Sequence, residues 1–301
     1  MAATKTTYSA HGKFLLTGEY AVLAAVPALA VPLRLKQHLT VSAREDKVIN
    51  WHSYDANGSL WFKSSFTTSL ITVTGDDAVT AKLKQILKTA LYLSGKETLE
   101  HGHDVITTLD FNRTYGMGTS STLIAMVAQW LGCDGYALQF ACFGGSGYDI
   151  ACATAQTPII YTYDPVRPVV ENVIFSPTFS NELFFVYLNR KQNSRESIAR
   201  FNSDLLTPAI KETVSAMPRQ VLQAANNIQV FKDLMINHEA IISQLIGLEP
   251  VQKSFVDFPG VLKSLGGWGG DFILAVGETA PSYFKARGYD VVLGWDEVVV
   301  G

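Results

Sequence analysis

The order of apolar and polar positions assigns most elements of this chain before any chemistry is considered. Residues 48–54 and 60–66 alternate around Asn57-Gly58, a pair suited to a primed turn, and predict a β-hairpin. Residues 80–93 place Leu83, Ile86, Leu87, Ala90 and Leu91 on one helical face. Residues 105–111 read as a strand, and a second helical stripe follows with Leu123, Ile124, Val127, Trp130 and Leu131. Apolar runs occupy 150–155 and 159–163, and 182–188 reads as a strand. A polar loop and a helix come next, then longer helical patterns from about 205 to 248. The chain closes with a strand at 272–276, a short helix at 281–287 and two strands at 291–295 and 297–300. Helices and strands mix without steady alternation, which predicts an α+β fold rather than a doubly wound sheet. Asp164-Pro165-Val166-Arg167-Pro168 punctuates the middle and suggests two domains, 1–168 and 169–301.

Composition narrows the function classes. Of 301 residues, 48% are hydrophobic and 17% charged, so the chain can build a core. Lys plus Arg number 24 and Asp plus Glu 27, a net charge of -3, which gives no basic footprint for nucleic acid. The first residues lack the apolar segment of a secretory leader, and no run of about 18 apolar residues suggests a membrane span. The expectation is a cytoplasmic chain with no membrane partner. Cys133, Cys142 and Cys152 lie in apolar surroundings without zinc-ligand spacing and read as buried thiols. His101 and His103 have no companion cluster and read as part of a solvated loop.

The 23 glycines are unevenly placed, and their clusters carry the candidate chemistry. After the strand at 105–111 comes Tyr115-Gly116-Met117-Gly118-Thr119-Ser120-Ser121 and then a helix. Strand, glycine loop and helix suit a phosphate, because glycine permits close backbone approach and the first helical turn offers unpaired N–H groups and a positive dipole end. The hydroxyls of Thr119, Ser120 and Ser121 can cap the helix or reach a metal ion. The loop is neither a Walker A sequence nor a dinucleotide fingerprint, since Ser121 stands where a third glycine is required. Gly144-Gly145-Ser146-Gly147-Tyr148 has tyrosine where a hydrolase elbow needs glycine. Asp149, just after that loop, is either a cap or a general base. Lys13, inside an apolar run, is either an edge charge or a functional cation. Glu19, after Gly18, is either a turn residue or a polar anchor for a ligand.

Taken in order, the clusters resemble the GHMP kinases, the superfamily of galactokinase, homoserine kinase, mevalonate kinase and phosphomevalonate kinase. Residues 10–23, with Gly12-Lys13 and Gly18-Glu19-Tyr20, resemble its first motif. Gly116-Met117-Gly118-Thr119-Ser120-Ser121 resembles its phosphate loop, and 266–271 its third motif. Gly145-Ser146-Gly147-Tyr148-Asp149 is similar to a Ser-Gly-x-Asp segment of the mevalonate and phosphomevalonate kinases. The resemblance spans the chain from about residue 8 to the end.

It implies an N-terminal domain like ribosomal protein S5 domain 2, a ferredoxin-like C-terminal domain, and transfer of the ATP γ-phosphoryl group, with Mg²⁺, to a hydroxyl or phosphate of a small molecule. By motif, Gly116, Gly118, Thr119, Ser120 and Ser121 would bind nucleotide, with Ser120, or Thr119, at the metal. Asp149 would take the acceptor proton and Lys13 would stabilise charge and orient Asp149. Glu19, Tyr20, Ser146, Gly267, Gly269 and Gly270 would meet the substrate. Apart from the resemblance, Lys191 and Arg195 read as a solvated helix start or, for an acceptor that carries a phosphate, as cations that bind it. The sequence departs from the pattern in four places. Asn112-Arg113-Thr114 stands where a proline is usual, Thr119 and Thr122 replace a serine and an alanine, and Trp268 interrupts a small-residue loop. No carboxylate lies at 136–142, near where mevalonate kinases carry a Mg²⁺-binding Glu. These departures motivate a second reading, a non-catalytic ligand-binding or regulatory protein of the same fold, and behind it a decarboxylase of the superfamily.

Overall fold

The computed structural model describes residues 5–75, 77–191 and 199–301. The chain forms two compact units, each discontinuous in sequence. The first holds the described residues up to Gly12, then Leu35–Arg113 and Gly118–Thr154; the second holds Lys13–Arg34, Thr114–Met117 and the described residues from Ala155 onward. Two long strands, β1 (Lys5–Leu15) and β2 (Ala28–Arg44), contribute to both. The 164–168 segment, where the sequence suggested a boundary, turns between β7 (Ile159–Thr162) and β8 (Val169–Asn172), both in the second unit. Asp164 there accepts from the N–H groups of Val166 (2.8 Å) and Arg167 (2.9 Å).

In the first unit the strand order is β5 (Thr72–Thr74), β4 (Leu60–Thr67), β3 (Val48–Tyr54), β6 (Gly102–Leu109), β2, with β1 also on β2. β3 and β4 form the predicted hairpin, but not through a primed turn at Asn57-Gly58: Gly58 N–H donates to Asp55 O (2.8 Å), and Gly58 is left-handed (φ +77°) while Asn57 is not, the pattern of a longer loop with glycine after the turn. The strand β6 runs parallel to β3 and antiparallel to β2. Helices α1 (Ala78–Leu93), α2 (Thr119–Leu131), α3 (Gly135–Cys142) and α4 (Tyr148–Thr154) share one apolar core with this sheet. The stripe predicted for α1, Leu83 to Leu91, is the face it buries, and Asp77 caps its start by accepting from Thr80 N–H at 2.7 Å.

In the second unit the start of β2 pairs with β7, which pairs with β8. A separate antiparallel sheet has the order β10 (Val261–Ser264), β11 (Phe272–Val276), β9 (Leu183–Tyr187), β12 (Val292–Gly294). Between β9 and β10 the chain forms α5 (Pro208–Gln223) and α6 (Ile228–Ile246), and between β11 and β12 the short α7 (Ala280–Lys285).

Cys133, on the turn just after α2, is half-buried rather than buried as Cys142 and Cys152 are. Two larger expectations need correction. Residues 297–300 are not a strand. Trp295–Val298 is a helical turn, α8, started by Gly294, whose N–H is accepted by the Glu297 carboxylate at 2.9 Å; only Val299 bridges to Leu33. That local capping bond outweighs the β-propensity of the valines. The second is His103, which belongs to β6 rather than to a solvated loop. It is half-buried edge-on against Trp130 (5.4 Å), and burial pulls its pKa down. The helix expected after the polar loop near 190 lies in part outside the described residues, as does Arg195; Lys191 is exposed.

Candidate functional site

The phosphate-loop candidate sits where β6 hands over to α2. Gly116 and Gly118 are left-handed, at φ +67° and +95°, a conformation costly for residues with a Cβ. Gly118 is the N-cap of α2, so no side chain caps the helix, and the first turn contains no acid. The amides of the first turn therefore keep their positive end for an external acceptor. Ser120 is exposed there, Thr119 half-buried and Ser121 buried. Two departures from the motif have local explanations. The buried Thr122 hydroxyl donates to the Gln37 side chain and lies 3.2 Å from Gly118 O, so the extra oxygen is satisfied. Where proline is usual, Arg113 N–H donates to Asp55 Oδ1 (3.2 Å), its guanidinium pairs with Asp55 Oδ2 (3.3 Å), and it stacks over Trp61 (4.9 Å). This ties the approach to the loop to the β3–β4 turn.

Asp149 lies in the first turn of α4, half-buried, after Gly144, Gly145 and Gly147, which are all left-handed. The preceding loop is held by Gln139 Nε2 donating to Gly144 O (3.1 Å) and Lys82 Nζ donating to Cys142 O (2.6 Å). Ser146 is buried beside it in sequence. Ile124 of α2 and Ile150 and Ala153 of α4 belong to one core cluster, so the two helices that start at the glycine loops are fixed within one unit. Asp134, the carboxylate just ahead of 136–142, is occupied as the N-cap of α3, accepting from Tyr136 N–H (2.7 Å) and Ala137 N–H (3.0 Å). Among the described residues no group of three or more His, Cys, Asp or Glu is placed to hold a metal ion.

In the second unit, Lys13 stands near the end of β1, its N–H donating to Met117 O at 3.2 Å. It lines a small cleft with Tyr115, Gly116, Leu265, Gly266 and Asp271. The β10–β11 loop contains two left-handed residues besides its glycines, Trp268 (φ +35°) and Asp271 (φ +50°). Trp268 is 2% exposed and packs with Tyr20, Ile242, Leu245 and Ile246. The bulky residue of the third motif thus points into the core of the unit. Gly269 is exposed, whereas Gly267 and Gly270 are buried. Tyr20, left-handed at φ +59°, reaches Gly266 O with its hydroxyl at 3.3 Å.

One polar cluster was missed at the sequence level. Glu19 is 1% exposed and Lys263 is fully buried; Lys263 Nζ donates to Glu19 Oε1 and to Ser264 O (2.7 Å). His238 Nε2 accepts Gly18 N–H at 2.8 Å, which puts its proton on Nδ1. Its 3.2 Å approach to Glu19 Oε2 is accordingly a contact with a neutral ring, not an ion pair. Burial drives the His238 pKa well below its usual 6.5, reinforced by the Lys263 charge. Burial raises Glu19 despite Lys263, and raises Glu239, which accepts from Val251 N–H (3.0 Å), Ser264 N–H (2.9 Å) and Ser264 Oγ (2.9 Å). Glu19 Oε2 and His238 Nδ1 have no hydrogen-bond partner. A signal existed. His238 and Glu239 fall on the stripe of α6 formed by Phe231, Met235, Ile242, Leu245 and Ile246, and Lys263 stands in an apolar strand.

No family model matches the sequence, and no curated protein matches it. Solved structures do. The chain is similar to mevalonate kinase of Methanococcus jannaschii (13% identity, 99% of each chain, TM-score 0.70). It is similar to Streptococcus pneumoniae phosphomevalonate kinase in complex with phosphomevalonate and AMPPNP (16%, 98% of each chain, 0.68). It is also similar to Lactococcus lactis galactokinase complexed with galactose (12%, 99% of this chain and 94% of that one, 0.68). All three are GHMP kinases, and the agreement runs through both units. The chain has the GHMP kinase fold.

Proposed function

We propose that this protein is an ATP-dependent kinase of a small molecule, passing the γ-phosphoryl group to a hydroxyl or phosphate acceptor. The observation that carries the reading is α2, a helix with a glycine N-cap, no side-chain cap and no first-turn acid, packed in one core with α4, whose first turn holds Asp149. Such a pair offers an anion site and a proton acceptor on rigid elements. In this reading the amides and hydroxyls of Gly116, Gly118, Thr119, Ser120 and Ser121 hold the phosphates. Asp149 takes the acceptor proton, Ser146 and Gly267, Gly269 and Gly270 line the acceptor side, and Lys13 offsets developing negative charge. Glu19 and Tyr20 enter as the residues that shape that side. Phosphoryl transfer asks mainly for positioning and charge stabilisation, which this set supplies.

A divalent cation would be held by the nucleotide phosphates and Ser120, and when bound it neutralises phosphate charge. The donor set fits a phosphate-borne Mg²⁺ with one or two protein oxygens, not an all-protein cage. The succession of β9, α5 and α6, β10, β11, α7 and β12, in the antiparallel order given above, supports a ferredoxin-like C-terminal domain. The strand order β5, β4, β3, β6, β2, packed in one core with α1 to α4, supports the S5-like assignment for the first unit.

The test is phosphate transfer from ATP to a panel of mevalonate-type, sugar and amino-alcohol acceptors. Asp149→Asn is expected to lower turnover about 10²–10⁴-fold with nucleotide affinity retained; full turnover by this variant would overturn the assignment. The missing carboxylate at 136–142 favours a second reading, a ligand-binding protein of the same fold. Calorimetry that finds nucleotide or acceptor binding, with no transfer to any acceptor, would select it.

A further inference from the structure

We propose that Tyr20 is a positioning residue for the glycine loop at 266–270: it holds that loop in the form that receives the acceptor and does not itself touch the acceptor. The proposal rests on the kinase reading above. Tyr20 is the centre of a three-residue turn, at φ 59° and ψ -45°, closed by Ala21 N–H donating to Glu19 O at 2.6 Å. A γ-turn of positive φ is a rare and strained geometry for a residue that carries a Cβ. Its neighbours hold it there. Gly18, left-handed at φ +86° and packed on Ala28, donates its N–H to His238 Nε2 at 2.8 Å, and Glu19 Oε1 accepts from Lys263 Nζ. Strain of this kind persists only where the surroundings over-determine it, and it gathers at ligand clamps. Glycine would make the same turn without strain, so the tyrosine side chain is the part that requires a reason.

Tyr20 is 7% exposed, so little of it is open to a ligand, and its ring packs with Trp268, Ile242, Leu245 and Ile246. Its hydroxyl donates to Gly266 O at 3.3 Å. Hydroxyl and ring thus meet the same loop, one at its first carbonyl and the other at its bulky residue. The loop leaves β10 at Ser264, next to Lys263, so the cation that holds Glu19 also stands at the foot of the loop. Glycine at 266, 267, 269 and 270 gives this segment much conformational freedom to lose on ordering. Fixing it before the acceptor arrives removes that loss from binding. A tyrosine that only filled the core would need no hydroxyl at Gly266, and phenylalanine would serve as well.

That difference is the test. Tyr20→Phe removes the hydroxyl and keeps the ring. Val214→Ala, in the neighbouring cluster with Ala21 and Val26, is the control for general loss of packing. Amide hydrogen exchange is followed by mass spectrometry on the full-length protein, and kinetics use whichever mevalonate-type, sugar or amino-alcohol acceptor the wild type turns over fastest. In Tyr20→Phe, exchange across 265–271 is expected to quicken about three- to tenfold, the worth of one hydrogen bond. Its KM for the acceptor is expected to rise by a similar factor with kcat and nucleotide affinity nearly unchanged. Val214→Ala is expected to leave both loop exchange and KM near wild type. With an active wild type, an unchanged loop exchange or an unchanged KM in Tyr20→Phe overturns the proposal and leaves the kinase reading standing. So does a fall in kcat alone, or a control that moves exchange and KM as far. A wild type that transfers phosphate to no acceptor overturns the kinase reading and this proposal with it.

Discussion

Replacing Lys263 by methionine removes the only cation that contacts Glu19 among the described groups of the buried cluster, while leaving a side chain of similar length and apolar volume. The loss is worked from what remains. Glu19 is 1% exposed, its Oε2 already lacks a hydrogen-bond partner, His238 is neutral, and Glu239 adds like charge. Lys263 Nζ also leaves Ser264 O, which it reaches at 2.7 Å. Breaking one side of such a pair costs about 3–5 kcal/mol, because the other charge is left buried and uncompensated. For a domain of this scale that lowers the thermal midpoint by roughly 6–20 °C. Pairing the change with Glu19→Gln removes the orphaned charge, and the double variant is expected to recover most of the loss, since neutral replacements of buried pairs are often nearly neutral in stability. Acid also distinguishes the mechanism. Glu19, already raised above its usual 4.5, rises further without Lys263, so protonation at low pH relieves the single variant and narrows its deficit against wild type. Thermal and urea unfolding, followed by tryptophan fluorescence at pH 7.5 and pH 5, measure all three. A single variant within about 1 kcal/mol of wild type, or a double variant as unstable as the single, would refute the reasoning.

Two further outcomes follow from the same geometry. His238 is held neutral in the folded protein, whereas in the unfolded chain it takes a proton below its usual 6.5, so its contribution to stability is present above that pH and lost as pH falls below it. His238→Gln keeps an acceptor for Gly18 N–H, and its urea midpoint is expected to decline less between pH 7 and pH 5.5 than that of the wild type; equal slopes would assign the acid sensitivity elsewhere. Gly116→Ala places a Cβ 2.5 Å from the Asp271 carboxylate at φ +67°. The left-handed backbone alone costs about 1–2 kcal/mol, and binding of a fluorescent ATP analogue is expected to weaken, while Gly144→Ala, whose Cβ meets nothing within 4 Å, is expected to leave that binding unchanged.

Local pattern carried far in this chain. The Asn57-Gly58 hairpin, the apolar stripe of α1, the strand Phe272–Val276 and the glycine loop before α2 were legible because each depends on residues a few positions apart, through turn chemistry or side-chain periodicity. The order of the glycine motifs also led to the GHMP kinase fold, which the solved structures bear out at 12–16% identity. The closing segment was misread because the valines' β-propensity is weak beside one capping bond from Glu297.

What the sequence determined by itself was therefore the elements, their class and the candidate loops. Tertiary structure alone decided which residues share a space. Lys263 meets Glu19 across 244 positions, Gly18 meets His238 across 220, and Asp271 fills the place of a side chain at Gly116. It also turned Trp268, the bulky residue in a loop of small ones, inward. The reason is physical. A helix or turn is specified by short-range sterics and hydrogen bonds, whereas the pairing of a buried lysine with one glutamate among many depends on how distant strands and helices pack, and sequence spacing carries no record of that distance.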